Sequence, residues 1–329
     1  MVQTLLIFGG TGSLGKALIH KYVHKYNIVN FSRDELKQWE LQLLVSGLKS
    51  NNTFVNVIGN IRNYESVKTC INTYKPNVVI IASALKQIVR CEYQPNQSIK
   101  TNVNGPQNVL RALRTHVNVV TCFVSTDKAC NPINTYGVCK ALSERLMISE
   151  SKENTQNKYV IVRYGNVLCS RGSIIPLLKS KCLKNEDLTI TTKDMTRFIM
   201  SLKQCTNLIE YALIYGESGD IIIPILPAMS ILTLFKLFAE KYDKKITEIG
   251  IRPGEKIHEM LINKYELMRS VSKNHDNIIY NIIKPYYKKV EDNSDKLKIM
   301  VNGPVYESDN IVLTRQELLD KLKELDVEL

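Results

Sequence analysis

The sequence contains no C-x-x-C pair, no repeat and no low-complexity tract. No apolar run approaches the roughly 18–20 residues of a membrane span. The eight cysteines (Cys70, Cys91, Cys122, Cys130, Cys139, Cys169, Cys182 and Cys205) are unclustered, and none follows residue 205. Disulfide frameworks and zinc modules need clustered cysteines, so these read as reduced thiols and no metal site is expected. The apolar run Thr4–Phe8 is too short for the core of a signal peptide, so the expected setting is soluble and cytoplasmic, with no membrane partner. Acidic residues are in deficit, 32 against 44 Lys and Arg, for a net charge of +12. That excludes a self-repelling acidic chain and points to an anionic partner: nucleic acid, an acidic membrane or a phosphorylated metabolite. With 44% apolar and 23% charged residues, a disordered chain is excluded as well.

What is present is an alternation. Short β-type runs at Leu5–Phe8, Ile28–Phe31, Phe54–Ile58, Val78–Ala82, Val119–Val124 and Val160–Arg163 are separated by segments with helical periodicity. This rhythm predicts an α/β fold, a Rossmann-type doubly wound parallel sheet. After about residue 167 the pattern breaks into irregular segments, with helical patterns returning near Ile231–Phe238 and Leu313–Leu325. The expected division is 1–167 for the dinucleotide-binding domain and 168–329 mainly for a smaller C-terminal substrate-binding lobe, with some segments free to return to the first.

Gly9-Gly10-Thr11-Gly12-Ser13-Leu14-Gly15 follows the first strand and opens the first helix. Glycines let the backbone approach a pyrophosphate, and the helix start offers free N–H groups to it. The second strand runs into Ser32-Arg33, with Lys37 one turn on, where an NAD site usually ends in a carboxylate. A hydroxyl and a guanidinium suit a 2′-phosphate, so NADP is expected over NAD. The fifth strand ends in Ser125-Thr126-Asp127-Lys128, and Tyr136 and Lys140 follow at helical spacing. A lysine beside a tyrosine favours the phenolate and lowers its pKa toward a general base, and Thr126 can bond the same substrate hydroxyl.

Together these stretches resemble the extended short-chain dehydrogenase/reductase superfamily. Within it, they are most similar to the inverting UDP-N-acetylglucosamine 4,6-dehydratases. The matching segments include Gly9–Lys16, Lys100-Thr101-Asn102-Val103, Ser125–Ala129, Asn131–Lys140, Ser170–Ser173 and Arg252–Glu259, spread from residue 5 to about 265. The resemblance implies a mechanism. Tyr136 is the base as C4 loses hydride to NADP+, Lys128 removes the C5 proton, and Asp127 protonates the departing C6 hydroxyl. Hydride then returns to C6, and reprotonation inverts C5. The product is a UDP-2-acetamido-2,6-dideoxy-4-keto-hexose of L-arabino configuration. Retaining relatives carry Thr-Asp-Glu where this chain has Thr126-Asp127-Lys128, so Lys128 is the sharpest discriminator; its amine must be neutral to act as base.

The resemblance also implies cofactor contacts at Gly9, Thr11, Gly12, Ser13, Leu14, Gly15, Ser32, Arg33, Lys37, Asn60, Ile61, Ala82, Lys86, Tyr136 and Lys140. Substrate contacts are implied at Lys86, Asn166, Arg197, Arg252 and Glu255, and the assembly as a homo-oligomer. His258, without a placed partner, reads as a packing or capping residue. Three departures stand out: Asn60 replaces the family's aspartate, Ser83 a commoner alanine, and Pro224-Ile225-Leu226-Pro227 lacks a lysine of the usual pattern. A retaining dehydratase or a 4-epimerase on the same scaffold remains an alternative, although an epimerase needs no Asp-Lys pair. A non-enzymatic NADP sensor or an RNA-binding protein is the alternative of another class. The intact Tyr–Lys pair and the lack of a basic tract with interleaved aromatics argue against both, so no nucleic-acid partner is expected.

Overall fold

The computed structural model describes residues 2–290, 305–325 and 327. All six β-type runs of the N-terminal half are strands: β1 Thr4–Phe8, β2 Asn27–Ser32, β3 Phe54–Ile58, β4 Val78–Ile81, β5 Val120–Val124 and β6 Lys158–Val162. They pair in parallel in the order β6-β5-β4-β1-β2-β3. All four residues of β4 are buried, as a strand covered on both faces requires.

The covering helices are α1 Ser13–Tyr22, α2 Glu35–Ser46, α3 Tyr64–Tyr74, α4 Ile88–Tyr93, α5 Pro95–Asn102, α6 Asn104–Leu113 and α7 Thr135–Glu153. Helix α1 packs on α2, whereas α3 packs on α6 and α6 on α5 and α7, the two layers of a doubly wound sheet. Side-chain caps set several starts: Asp34 accepts from the Lys37 amide, Asn63 from Ser66 and Asn134 from Gly137.

The second half contains β7 Asn166–Val167, α8 Ile174–Leu183, β8 Leu188–Ile190, β9 Thr196–Met200, α9 Leu202–Tyr215, β10 Ile221–Pro224, β11 Ala228–Ser230 and α10 Ile231–Tyr242. It continues through β12 Ile246–Glu248, β13 Met260–Ile262, α11 Lys264–Leu267, β14 Ser270–His275, β15 Ile278–Ile283, β16 Tyr306–Glu307 and a C-terminal helix, Arg315–Glu324. Three of these strands rejoin the large sheet. β10 pairs with β6 in parallel and the β14–β15 hairpin extends the edge antiparallel, giving nine strands. The isoleucines of β10 and the apolar end of β15 supply the buried faces that make this possible.

The remaining segments form a smaller lobe with its own core, including Ile175, Leu178, Leu188, Met229, Leu234, Phe238, Leu318 and Leu322. Arg163, just past β6, ties the sheet and α7 to the 261–266 segment, which packs on the main core. Its guanidinium bonds Glu144 of α7 at 2.6 Å, Glu266 of α11 at 2.9 Å and the Leu261 carbonyl at 2.8 Å. Among the described residues no helix is long and apolar enough to cross a membrane.

Candidate active site

The sheet places the sequence motifs at its carboxyl edge, beside the reversal of strand order between β1 and β4. There the glycine loop after β1, Ala82 and Lys86 after β4, Thr126 and Lys128 after β5, Tyr136 and Lys140 of α7, Asn166 of β7, and Arg252 and Glu255 line one cleft of about 550 Å³.

The loop itself is built for an anion. Gly9 has φ +96°, and a Cβ there would lie 2.9 Å from the Ser83 backbone. Gly12 caps α1 without any side-chain bond, and no acidic residue occupies the first turn. Ser13, Leu14 and Gly15 line the cleft, and no side chain competes for the amides of this helix start, as a bound pyrophosphate needs. These residues fit a dinucleotide. Ser13 and Thr11 also hold a residue that sequence reasoning missed. The Arg171 amide donates to Ser13 Oγ at 3.1 Å, and its guanidinium donates to the Thr11 carbonyl at 3.3 Å. Arg171 brings the Ser170–Ser173 turn of the small lobe over the loop.

Ser32, Arg33, Lys37, Asn60 and Ile61, the residues expected at the adenosine end, are not part of the cleft lining, and Arg33 is exposed. Ser32 Oγ accepts from Gln38 Nε2 at 2.9 Å, and Lys37 is ion-paired to Asp34. Lys37 is thus committed to its own helix cap. Asn60 accepts from the Arg62 amide, and Ile61 is buried. Arg62 was not singled out from the sequence. It is fixed by Gln97 and Thr101, and its guanidinium pKa is lowered by burial and by the neighbouring Arg33. Two cations therefore meet at this end.

Close approach of the catalytic segment depends on Gly137, where a Cβ would lie 2.2 Å from the Lys128 carbonyl. Thr126 caps the short turn Asp127–Ala129 and donates to Asp127 Oδ1 at 2.9 Å. Tyr136 is buried, which pushes its phenol up to about 12, against the opposing effects of the Lys128 charge and the Thr126 hydrogen bond. Lys140, expected beside Tyr136, is turned to the backbone of β5. Lys140 Nζ donates to the Val124 carbonyl at 2.7 Å and lies 4.4 Å from the Phe123 ring centre. Burial brings its ammonium pKa down to about 8.

Lys128 is not a free amine. Its Nζ is 2.9 Å from Asp127 Oδ1, 3.2 Å from Glu259 Oε1 and 3.3 Å from Asn166 Oδ1. Burial works to lower its pKa, but Asp127 and Glu259 overcome it and the group is raised above the ordinary lysine value. Asp127 is fully buried and does not line the cleft; Thr126 and Lys128, both bonded to it, do.

The substrate assignment of Arg197 is corrected. Its guanidinium is spent on the carbonyls of Thr196, Lys256 and Ile257, so it shapes the 256–259 segment and does not line the cleft. Arg252 does line it, paired with Glu255. Burial and nearby Arg171 pull the Lys86 ammonium down. His258 Nδ1 lies 2.8 Å from Thr196 Oγ1 and packs as expected. Among the described residues no group of three or more His, Cys, Asp or Glu is placed to hold a metal ion.

A family model described as "Polysaccharide biosynthesis protein" matches residues 5–282. The chain belongs to this family. Within it, the UDP-glucose 4-epimerase of Rickettsia bellii (strain OSU 85-389) is 40% identical over 279 residues, covering 82% of this chain and 80% of the relative. The structure of Pen from Bacillus thuringiensis is similar at 30% identity and TM-score 0.89, covering 99% of this chain and 98% of that one. A dTDP-glucose 4,6-dehydratase from Bacillus anthracis str. Ames, solved with NAD, shares the fold at 17% identity and TM-score 0.65, over 77% of this chain and 86% of that one. This member of the polysaccharide biosynthesis family is therefore an enzyme of the nucleotide-sugar dehydratase/epimerase class, on the extended short-chain dehydrogenase/reductase fold.

Proposed function

We propose that the protein is a C5-inverting UDP-N-acetylglucosamine 4,6-dehydratase that uses NADP. The observation that carries this reading is Lys128. An ammonium held by Asp127 stands in the same cleft as Tyr136, at the strand end where the sugar ring must sit. A 4-epimerase has no task for such an acid–base pair.

The glycine-loop amides would hold the pyrophosphate, Lys140 and Tyr136 the nicotinamide ribose, and Ser32 with Arg33 the 2′-phosphate. When bound, the dinucleotide would supply the hydride acceptor for C4 of the sugar and the hydride donor for C6. Tyr136 takes the C4 hydroxyl proton, helped by Thr126 and by the Lys128 charge, which oppose the rise caused by burial. The 4-ketone acidifies C5–H; Lys128 passes its proton to Asp127 across their hydrogen bond, the resulting amine removes the C5 proton, and the Asp127 acid protonates the leaving C6 hydroxyl through Thr126. Arg252 and Lys86 are the cations placed for the substrate's diphosphate, with Asn166 contacting the sugar. The same reading carries homo-oligomeric assembly and a cytoplasmic setting.

The deciding experiment is NMR of the product formed from UDP-N-acetylglucosamine. A 6-deoxy-4-keto sugar inverted at C5 is expected. A product that keeps its C6 hydroxyl and is inverted at C4 gives the 4-epimerase reading, which the names of the Rickettsia relatives favour.

A further inference from the structure

Glu259 has no part in the reaction as set out above, yet it sits at its centre. The side chain is 2% exposed. Oε1 lies 3.2 Å from Lys128 Nζ and 3.9 Å from Arg197 Nε, while Oε2 is buried with no partner. A carboxylate removed from water is stable only beside compensating charge. Arg197 is the weaker partner, because its N–H groups serve the backbone carbonyls of Thr196, Lys256 and Ile257.

The backbone beneath the carboxylate is held at both polar groups. The Glu259 amide donates to Ser308 Oγ at 2.9 Å, and the Ser308 amide donates to the Glu259 carbonyl at 2.8 Å. Ser308 Oγ in turn lies 2.7 Å from Thr196 Oγ1. Glu259 is thus fixed against β9 and the residue following β16.

Around Lys128 the facing groups are Asp127 of its own turn, Glu259 before β13, Arg197 of β9, Asn166 of β7 and Tyr136 of α7. His258 is turned to Thr196 Oγ1, and Glu307 faces His258 and Lys256. Two carboxylates bracket one ammonium, and each keeps one buried oxygen, Asp127 Oδ2 and Glu259 Oε2, without a partner.

We propose that Glu259 is a positioning residue for Lys128: its clamped carboxylate holds the amine as an ammonium, aimed into the cleft between Asp127 and Asn166. What Lys128 then does to a sugar rests on the function proposed above, but its charge state is measurable without any sugar.

The test is trace acetylation of the whole folded protein with acetic anhydride at pH 9, read by mass spectrometry. Lys128 is scored against exposed Lys49, and Lys140, in the same cleft, reports any general loosening. Glu259→Gln is expected to raise the Lys128/Lys49 ratio about tenfold, as loss of one close anion shifts a lysine by about one pH unit, with Lys140/Lys49 unchanged. Glu259→Asp, which withdraws the charge by one methylene, is expected to raise it by about threefold and decides the matter should the amide variant not fold. A ratio within about twofold of wild type overturns the proposal, as does a parallel rise at Lys140.

The same variants are then assayed for solvent deuterium incorporation at C5. If Lys128 is the base, the acidic limb of that pH profile moves down in Glu259→Gln. A moved acetylation ratio with an unmoved exchange profile leaves Glu259 in this role and removes Lys128 from the role of C5 base. An unmoved acetylation ratio sinks the Glu259 proposal whatever the product is.

Discussion

Asn134 Nδ2 donates to the Gly254 carbonyl at 2.7 Å, while its Oδ1 caps the catalytic helix through the Gly137 amide, also at 2.7 Å. One side chain fastens the turn that carries Arg252 and Glu255 to the helix that carries Tyr136. Asn134→Ala should therefore lower stability by about 1–2 kcal/mol, seen as a lower urea midpoint. Asn134→Asp keeps the cap, where its charge suits a helix start, but sets a carboxylate oxygen against the Gly254 carbonyl and so releases the turn. It should unfold near the wild-type midpoint yet show a raised KM for the nucleotide sugar, and an unchanged KM would separate the turn from substrate binding.

Lys128→Ala should abolish solvent deuterium incorporation at C5. Partial reduction of the cofactor by sugar should persist in a single turnover, because Tyr136 remains. Normal C5 exchange would assign the base to another group.

Arg33 is the exposed cation at the adenosine end, whereas Lys37 is occupied by Asp34. Arg33→Ala should weaken NADP+ about tenfold or more relative to NAD+, and Lys37→Ala should do so much less. Equal losses for the two dinucleotides in titration calorimetry would end the 2′-phosphate assignment.

Lys140 carries a pH signature. Its pKa is lowered from 10.5 to about 8 by burial. Between these values the unfolded chain holds a proton that the folded one has released, so stability rises with pH across that window. Relative to Lys140→Met, the cofactor-free wild type should gain about 3 kcal/mol between roughly pH 8 and 10.5, with a flat difference below pH 8. Urea titrations over that range check the sign, and a decline with pH contradicts it.

Arg163→Met would leave Glu144 and Glu266 buried without their cation. A loss of about 3–5 kcal/mol is expected, measurable by denaturant unfolding, and a loss below about 1 kcal/mol would mean that the carboxylates find protons instead.

The parallel sheet was legible because its strands are continuous apolar runs, as at Val78–Ile81, and because a phosphate loop must follow the first of them. The β14–β15 hairpin was not. Its outer strand, Ser270–His275, is half polar, as an edge allows, and only pairing with β15 reveals it. In the site, the motif residues Tyr136, Lys140 and Lys128 were found together because spacing along one strand–helix unit fixes them. Arg197 was misassigned because a basic residue in a strand looks the same whether it faces a ligand or three carbonyls. Glu259, the last residue of a matching segment, was given no role because nothing local distinguishes a carboxylate whose partner, Lys128, is contributed from the other half of the chain.

The Ser308 clamp on Glu259 also sets an order of events during synthesis. Strands β1–β6 find their neighbours soon after each is made, so the dinucleotide sheet assembles while the chain is still growing. The charged surroundings of Lys128 wait for residues 259 and 308. At about 5–20 residues per second, that delay is on the order of ten seconds. For that interval the growing chain carries the six parallel strands of the dinucleotide sheet while Lys128 still lacks its second carboxylate partner.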